Sequence, residues 1–134
     1  MPSTRRPGSL SEPESNVGRL LGSVRRGLDR VAPPDLAREI ASGALVVDIR
    51  PEQDRADHGI LPGAVVVERI HLEWRLDPTS PHRLPGATAD RRVIVVCNEG
   101  YASSLAAATL RELGVARATD LAGGYRAWSE LDGG

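Results

Sequence analysis

The sequence predicts an α/β domain built on a central, mainly parallel β-sheet. Short apolar runs at residues 44–49, 64–68 and 92–97, with a fourth near 119–121, are bounded by turn formers, which is typical of buried strands. Segments with helical character lie between and after these runs. Strands that alternate with helices favour a parallel sheet, because a parallel return requires a crossover. In such sheets binding sites lie at the carboxyl ends of the strands.

The remaining elements follow from local signals along the chain. Residues 16–32 place apolar side chains at helical spacing and predict an amphipathic helix that docks on its own domain. A membrane-binding or partner-binding helix is the alternative. Pro33-Pro34 ends this element and starts a helix that runs up to Gly43. Residues 52–57 predict a helical turn or two, and residues 69–90 a long loop with a short helical piece.

The carboxyl-terminal half contains two further predicted helices. The first starts at Ser103, a residue type that caps helices well, and ends near Leu113 before Gly114. The second follows Gly123-Gly124, a predicted tight turn, and carries Tyr125 and Trp128. Because residues 1–15 are rich in Pro, Ser and Arg, we expect a disordered arm there, the helix over 16–32, and the folded domain over 33–134.

Composition restricts the classes of function. The chain has 134 residues, of which 40% are hydrophobic and 26% charged, with a formal net charge of −1. These values indicate a globular domain and disfavour a nucleic-acid partner, and no apolar run is long enough for a membrane span. All 17 basic residues are arginine, as is typical of a GC-rich, bacterial genome. A single cysteine forms no intramolecular disulfide, which favours a reducing, cytoplasmic location.

That single cysteine, Cys97, lies where a predicted buried strand opens into a helix. Residues 98–102 form the connecting loop, and Ser103 follows. A helix amino terminus and successive backbone N–H groups stabilise a thiolate or an anion attached to the sulfur. The arrangement predicts a nucleophile; a cysteine that merely packs at a strand end is the alternative.

Four short motifs follow one another in the order typical of one family. They are Val47-Asp48-Ile49-Arg50, Gly59-Ile60-Leu61-Pro62-Gly63-Ala64, Cys97 with Gly100 and Ser103, and Leu121-Ala122-Gly123-Gly124-Tyr125-Arg126-Ala127-Trp128. Over about residues 33–131 the chain thereby resembles a single rhodanese-like domain, a three-layer fold with helices on both sides of the sheet.

The resemblance implies a sulfurtransferase that moves sulfane sulfur through a persulfide on Cys97. Its loop would form the cradle for the persulfide anion, comprising Asn98, Glu99, Gly100, Tyr101, Ala102 and Ser103. The implied partners are a small-molecule or protein persulfide donor and a thiol acceptor. We expect no cofactor, no metal, no nucleic acid and no membrane, and a monomer or weak dimer.

The loop departs from the pattern of members that act on thiosulfate. Those members often carry Arg immediately after the cysteine and again before the Ser/Thr, where this chain has Asn98 and Ala102. A dianionic donor would lose two charge-assisted contacts, so we expect a donor other than thiosulfate. Glu99 is expected to pair with an arginine of residues 69–91 or of a partner. Ile60 replaces the family's histidine, and His58 is interpreted as a surface residue.

Further residues have two interpretations each. Asp48 and Arg50 either enter the site or form a structural ion pair beside it. The segment with Trp74 and Arg75 either walls the pocket or, through Trp74, caps the core. Trp128 is expected in the core.

Other classes of function fit less well. A phosphatase or arsenate reductase of the Cys-x5-Arg type needs an arginine where this chain has Ser103. A thioredoxin-like cycle needs a second cysteine, and the three histidines (His58, His71 and His82) lack metal-ligand spacing. A catalytically weak or inactive rhodanese-like module that binds or regulates a partner remains the alternative to the enzyme.

Overall fold

A computed structural model describes residues 15–131 of the chain. Its helices are α1 (Asn16–Arg26), α2 (Leu36–Ala41), α3 (Glu52–His58), α4 (Leu72–Leu76), α5 (Ala102–Glu112) and α6 (Gly124–Ser129). Its strands are β1 (Leu45–Asp48), β2 (Ala64–Val66), β3 (Val93–Val96) and β4 (Ala118–Asp120). Single 3-10 turns precede α2 and α4. The arm expected over residues 1–15 lies outside the described residues except for Ser15.

The strands form one parallel sheet in the order β2-β1-β3-β4. Val46 of β1 stands between Ala64 of β2 and Ile94 of β3. The carboxyl ends of β1 and β3 therefore lie side by side, and β3 leads directly into Cys97. The predicted α/β class with a parallel sheet is confirmed.

Side chains alternate between two apolar clusters, one on each face of the sheet. On one face Val47 and Val95 pack with Leu72 of α4 and Leu110 of α5. The opposite face holds the second cluster, which comprises Val46, Ile94, Val96, Leu36 of α2, Leu61, Leu121, Val31 and Tyr125 of α6. Helices thus cover both faces, which confirms the three-layer arrangement. Burial on both sides explains why the two central strands, β1 and β3, are almost entirely apolar.

The amino-terminal helix is shorter than the expected range of 16–32. It ends at Arg26, where the N–H of Gly27 donates to the Val24 carbonyl and the N–H of Leu28 to the Arg25 carbonyl. The chain then runs beside β4: the N–H of Val31 donates to the Asp120 carbonyl at 2.9 Å. The backbone at Val31 thus obtains its hydrogen bond from β4 and not from further turns of the helix. As expected, α1 docks on its own domain, packing against α5 with Leu21 buried. No described helix has both the length and the apolar character needed to cross a membrane.

Candidate active site

The Cys97 thiol lies at the carboxyl end of β3, with 9% of the residue exposed. Two backbone N–H groups point at its sulfur: those of Gly100, at 3.1 Å, and Ser103, at 3.3 Å. The second donor belongs to the first turn of α5, whose dipole also favours negative charge at this position. The site therefore offers two fixed donors to a sulfur anion.

The shape of the loop depends on glycines at two close approaches. Gly100 has φ +88°, and a Cβ added there would lie 2.7 Å from the Gly123 nitrogen. Gly124 has φ +66°, and its added Cβ would lie 2.5 Å from the Cys97 carbonyl oxygen. The N–H of Tyr125 donates to that same carbonyl at 2.9 Å. The predicted tight turn at Gly123-Gly124 thus packs directly against the cysteine loop.

Ser103 has a different role from the predicted helix cap. The helix begins one residue earlier, at Ala102, and Ser103 is fully buried in its first turn. The Ser103 Oγ lies 3.3 Å from the Cys97 Sγ and donates to the Asp120 Oδ2 at 2.7 Å. Ser104 donates to the same carboxylate oxygen at 2.8 Å. Burial next to Asp120 directs both hydroxyls into the core and away from the helix terminus.

Asp120 joins the cysteine loop to the amino-terminal segment. Arg30 donates to this buried carboxylate at 2.9 Å through Nε and to the Gly100 carbonyl at 3.0 Å. Arg25 of α1 donates to the same carbonyl at 2.7 Å and to the Ser104 Oγ at 3.0 Å. Desolvation by burial, and secondarily the nearby Arg30, lower the pKa of Arg25. The residue Gly100 is consequently held at both ends, by the sulfur at its N–H and by two guanidinium groups at its carbonyl.

Cys97 opens into a cavity of about 660 Å³ with a mainly apolar lining. The apolar residues of the lining are Val17, Leu21, Ile49, Pro51, Tyr101, Ala102 and Leu105. The polar residues are Arg50, Asp54, Arg69, Cys97, Asn98 and Glu99. The lining contains two positive and two negative side chains, so the cavity has no excess of positive charge.

Asp48 and Arg50 form a buried ion pair beside the loop. Arg50 donates to the Asp48 carboxylate through Nε and one terminal nitrogen, the latter at 2.9 Å, and its guanidinium stacks on the Tyr125 ring at 4.0 Å. Of the two residues, only Arg50 is among those that line the cavity. Its second terminal nitrogen is buried without a hydrogen-bond partner. The arrangement combines both interpretations, because the pair is structural and Arg50 borders the cavity.

Trp74 and Arg75 lie outside this cavity. The α4 helix buries Leu72 and Leu76, one turn apart, so Trp74 between them faces away and is 59% exposed. Arg75 donates to the His82 carbonyl at 2.9 Å. Both proposed positions of Trp74, in the pocket wall and over the core, are wrong. Arg69, at the preceding 3-10 turn, borders the cavity instead.

Other loop residues have partners that the sequence did not predict. Glu99 pairs with Arg126 of α6 at 2.8 Å, and not with an arginine of residues 69–91. The Gly123-Gly124 turn brings α6 against the cysteine loop, and it therefore places Arg126 within reach of Glu99. Asn98 borders the cavity, and its Oδ1 is buried without a partner.

His58 is exposed, and Trp128 is partly buried against the second cluster and 5.6 Å from the Tyr125 ring.

The sequence reasoning missed the contribution of α1 and Asp120. Val17 and Leu21 border the cavity, and Arg25 and Arg30 reach the cysteine loop. The i, i+4 spacing of Val17, Leu21 and Arg25 was a signal that these residues share one helix face. Nothing in the spacing specified which surface that face would meet.

The fold and site together define a class: parallel α/β domains with a cysteine where a strand opens into the loop before a helix. Residues 32–131 match the family model of the rhodanese-like domain. The chain belongs to the rhodanese-like family.

Two curated relatives carry sulfurtransferase names. The human thiosulfate:glutathione sulfurtransferase is 31% identical over 113 residues, which cover 79% of this chain and 97% of that protein. The adenylyltransferase and sulfurtransferase UBA4 of Candida albicans is 31% identical over 104 residues, which cover 75% of this chain. Only 23% of that longer protein is matched. These relatives support sulfurtransferase activity at the level of the family.

Solved structures agree with the fold. The human single-domain sulfurtransferase superposes with a TM-score of 0.64 at 28% identity, covering 77% of this chain and 96% of that one. A Rhodopseudomonas palustris protein of unknown function, described as a possible tyrosine phosphatase, superposes with a TM-score of 0.77 at 27% identity. It covers 97% of this chain and 95% of its own, so the likeness extends beyond residues 32–131.

Proposed function

We propose that the protein is a sulfurtransferase that carries sulfane sulfur as a persulfide on Cys97. The observation that carries this proposal is the thiol sulfur at the cavity, with the N–H groups of Gly100 and Ser103 at 3.1 and 3.3 Å. Donors fixed before the reaction stabilise developing negative charge without reorganising. A cysteine retained for packing alone has no need of them.

The transfer proceeds in two displacements. The Cys97 thiolate attacks the outer sulfur of a donor R–S–SH, forming the new S–S bond of the Cys97 persulfide. The donor's S–S bond breaks, and its electron pair leaves with R–S⁻, which takes up a proton. An acceptor thiolate then attacks the outer sulfur of the Cys97 persulfide and releases the Cys97 thiolate. No external oxidant or reductant is needed.

The charges at the cavity favour a donor less charged than thiosulfate. Arg69 is paired with Glu73 at 2.9 Å, and Arg50 with Asp48. Asp54 adds negative charge at the same cavity, where Glu99 is paired with Arg126. The name of the human relative includes thiosulfate, which makes that dianion the competing candidate. Asn98 and Ala102 provide no guanidinium for it, so we propose an organic persulfide, a polysulfide or a protein-bound persulfide as the donor.

The acceptor in this proposal is a thiol, as glutathione in the human relative's name illustrates. A reducing compartment such as the cytoplasm suits a protein with one unpaired cysteine. Such a compartment also supplies the low-molecular-weight thiols that would remove the sulfur.

Mass spectrometry of the whole protein tests the proposal. After incubation with a persulfide or polysulfide, we expect Cys97 to gain the mass of one sulfur atom and to lose it on treatment with cyanide. Cys97→Ser is the control and gains nothing. If wild-type protein forms no adduct with any donor, the chain is instead a rhodanese-like module that binds or regulates a partner.

A further inference from the structure

One face of α1 forms a wall of the cavity beside Cys97. Val17 and Leu21, one turn apart, border the cavity together with Leu105 of α5. Leu21 is 2% exposed, whereas Val17 is 41% exposed at the cavity mouth. This helix precedes residues 32–131, the part that matches the family. The wall therefore comes from a segment outside the matched domain.

The wall is fixed relative to the reactive sulfur. Arg25 lies one turn after Leu21 on the same face and donates to the Gly100 carbonyl at 2.7 Å. The N–H of Gly100 in turn donates to the Cys97 Sγ. At the other end of the helix, Ser15 accepts from the N–H of Gly18 at 2.8 Å, which caps the first turn. Two successive hydrogen bonds, through Arg25 and Gly100, thus connect the apolar wall to the Cys97 sulfur.

The size and polarity of the cavity indicate the kind of molecule that fits. A volume of about 660 Å³ lies within the range of about 300–1,000 Å³ that is typical of sites for organic ligands. A small inorganic anion would fill little of this space and would leave the apolar wall in contact with water. An apolar group held against Val17 and Leu21 would remove that surface from water.

We propose that α1 is the specificity element and that it selects an organic persulfide with an apolar R group. This inference rests on the proposed function. The R group lies against Val17 and Leu21 while the outer sulfur meets Cys97. The bond between the two donor sulfurs breaks, R–S⁻ departs from the apolar wall, and the new S–S bond remains on Cys97.

The experiment compares benzyl persulfide with inorganic polysulfide as donors for the full chain. The rate constant of Cys97 persulfidation is measured by quenched mass spectrometry in wild type, Val17→Asn, Val17→Leu and Leu20→Asn. Leu20 is the matched control because it is on the same helix, is 51% exposed and lies outside the cavity lining. Thermal unfolding by circular dichroism verifies that each variant is folded.

We expect Val17→Asn to lower the rate constant for benzyl persulfide about ten-fold and to leave that for polysulfide nearly unchanged. Val17→Leu retains the preference, and Leu20→Asn has the wild-type ratio. An unchanged ratio in Val17→Asn, or an equal change in Leu20→Asn, contradicts the role of the wall while the sulfurtransferase proposal stands. Wild-type protein that accepts sulfur from neither donor overturns both proposals together.

Discussion

Ala102 stands at the cavity and is exposed, so its side chain can be lengthened without entering the core. Ala102→Arg adds a guanidinium beside the Cys97 sulfur. We expect the turnover of thiosulfate to rise about ten-fold or more, because one charge-assisted hydrogen bond contributes about 1.5–3 kcal/mol. The measurement is kcat/KM with thiosulfate and cyanide.

Ala37→Arg is the matched control for this gain, since Ala37 is an exposed alanine of α2 outside the cavity lining. It changes the net charge equally and leaves the thiosulfate rate unaltered. Efficient thiosulfate turnover by the wild type would contradict our account of donor choice.

Arg50 is a buried cation whose geometry matters more than its charge. Its guanidinium contacts the Asp48 carboxylate, the Gly59 carbonyl at 2.9 Å and the Tyr125 ring. A lysine retains the charge and loses the planar fork and the ring stacking. We expect Arg50→Lys to lower the free energy of unfolding by about 2–4 kcal/mol, measured by urea denaturation.

The comparison variant for Arg50 is Arg38→Lys. Arg38 pairs with Asp35 at the surface, with side chains 72% and 44% exposed. Surface pairs contribute about 0–1 kcal/mol, so the change should stay below about 0.5 kcal/mol. Equal losses in the two variants would show that the fork of Arg50 is unimportant.

At the scale of elements, the turn before α6 shapes the cysteine loop. Gly124→Ala places a Cβ 2.5 Å from the Cys97 carbonyl oxygen, so the backbone of the loop must shift. We expect a loss of stability of more than about 2 kcal/mol and a large fall in the reactivity of the Cys97 thiol. Urea denaturation and alkylation by iodoacetamide measure the two effects.

Gly114→Ala separates the clash from the strain of a positive φ. Gly114 has φ +103°, and an added Cβ there meets nothing within 4 Å. Strain alone costs about 1 kcal/mol, and the reactivity of Cys97 should stay as in the wild type. A similar loss of reactivity in Gly114→Ala would contradict the proposed contact between the turn and the loop.

The elements were predictable where one local signal dominated. The buried runs around Val46 and Val95 predicted strands whose ends lie one residue from those observed, because parallel strands covered on both faces are apolar throughout. Trp74 was misplaced because α4 spans little more than one turn, and only the structure shows that Leu72 and Leu76 take the core side. A short helix has too few residues for its periodicity to fix its buried face.

At the scale of the whole molecule, a largely buried ion pair joins the amino-terminal segment to the matched domain. Arg30 is 21% exposed and donates at 2.9 Å to the carboxylate of Asp120, which is fully buried. We expect Arg30→Gln and Asp120→Asn each to destabilise the protein by about 1–3 kcal/mol. A double-mutant cycle in urea should give a coupling energy of about 1–2 kcal/mol.

Asp29→Asn provides the reference for this cycle. Asp29 pairs with Arg92 at 3.1 Å and is 71% exposed. Its loss should change stability by less than about 0.5 kcal/mol. A coupling energy near zero between Arg30 and Asp120 would show that the buried carboxylate is satisfied by Ser103 and Ser104 alone.

The place of Cys97 at a strand end was predictable from the sequence, whereas its surroundings were not. Cys97 follows from local signals, namely an apolar strand, a glycine and a helix. The cavity is lined by residues far apart in the chain, such as Val17 of α1 and Leu105 of α5. Tertiary contacts of this kind leave no periodic pattern, so only the folded chain shows which side chains meet.

The position of α1 has a consequence for how selectivity can diversify. Val17 and Leu21 belong to a helix that contributes no strand to the sheet and precedes the residues shared with the family. In our proposal, substitutions on this helix alter the choice of sulfur donor while the cysteine loop and the sheet stay the same. Part of the donor preference would then be encoded outside the segment that carries Cys97, and that part could evolve independently of the cysteine loop.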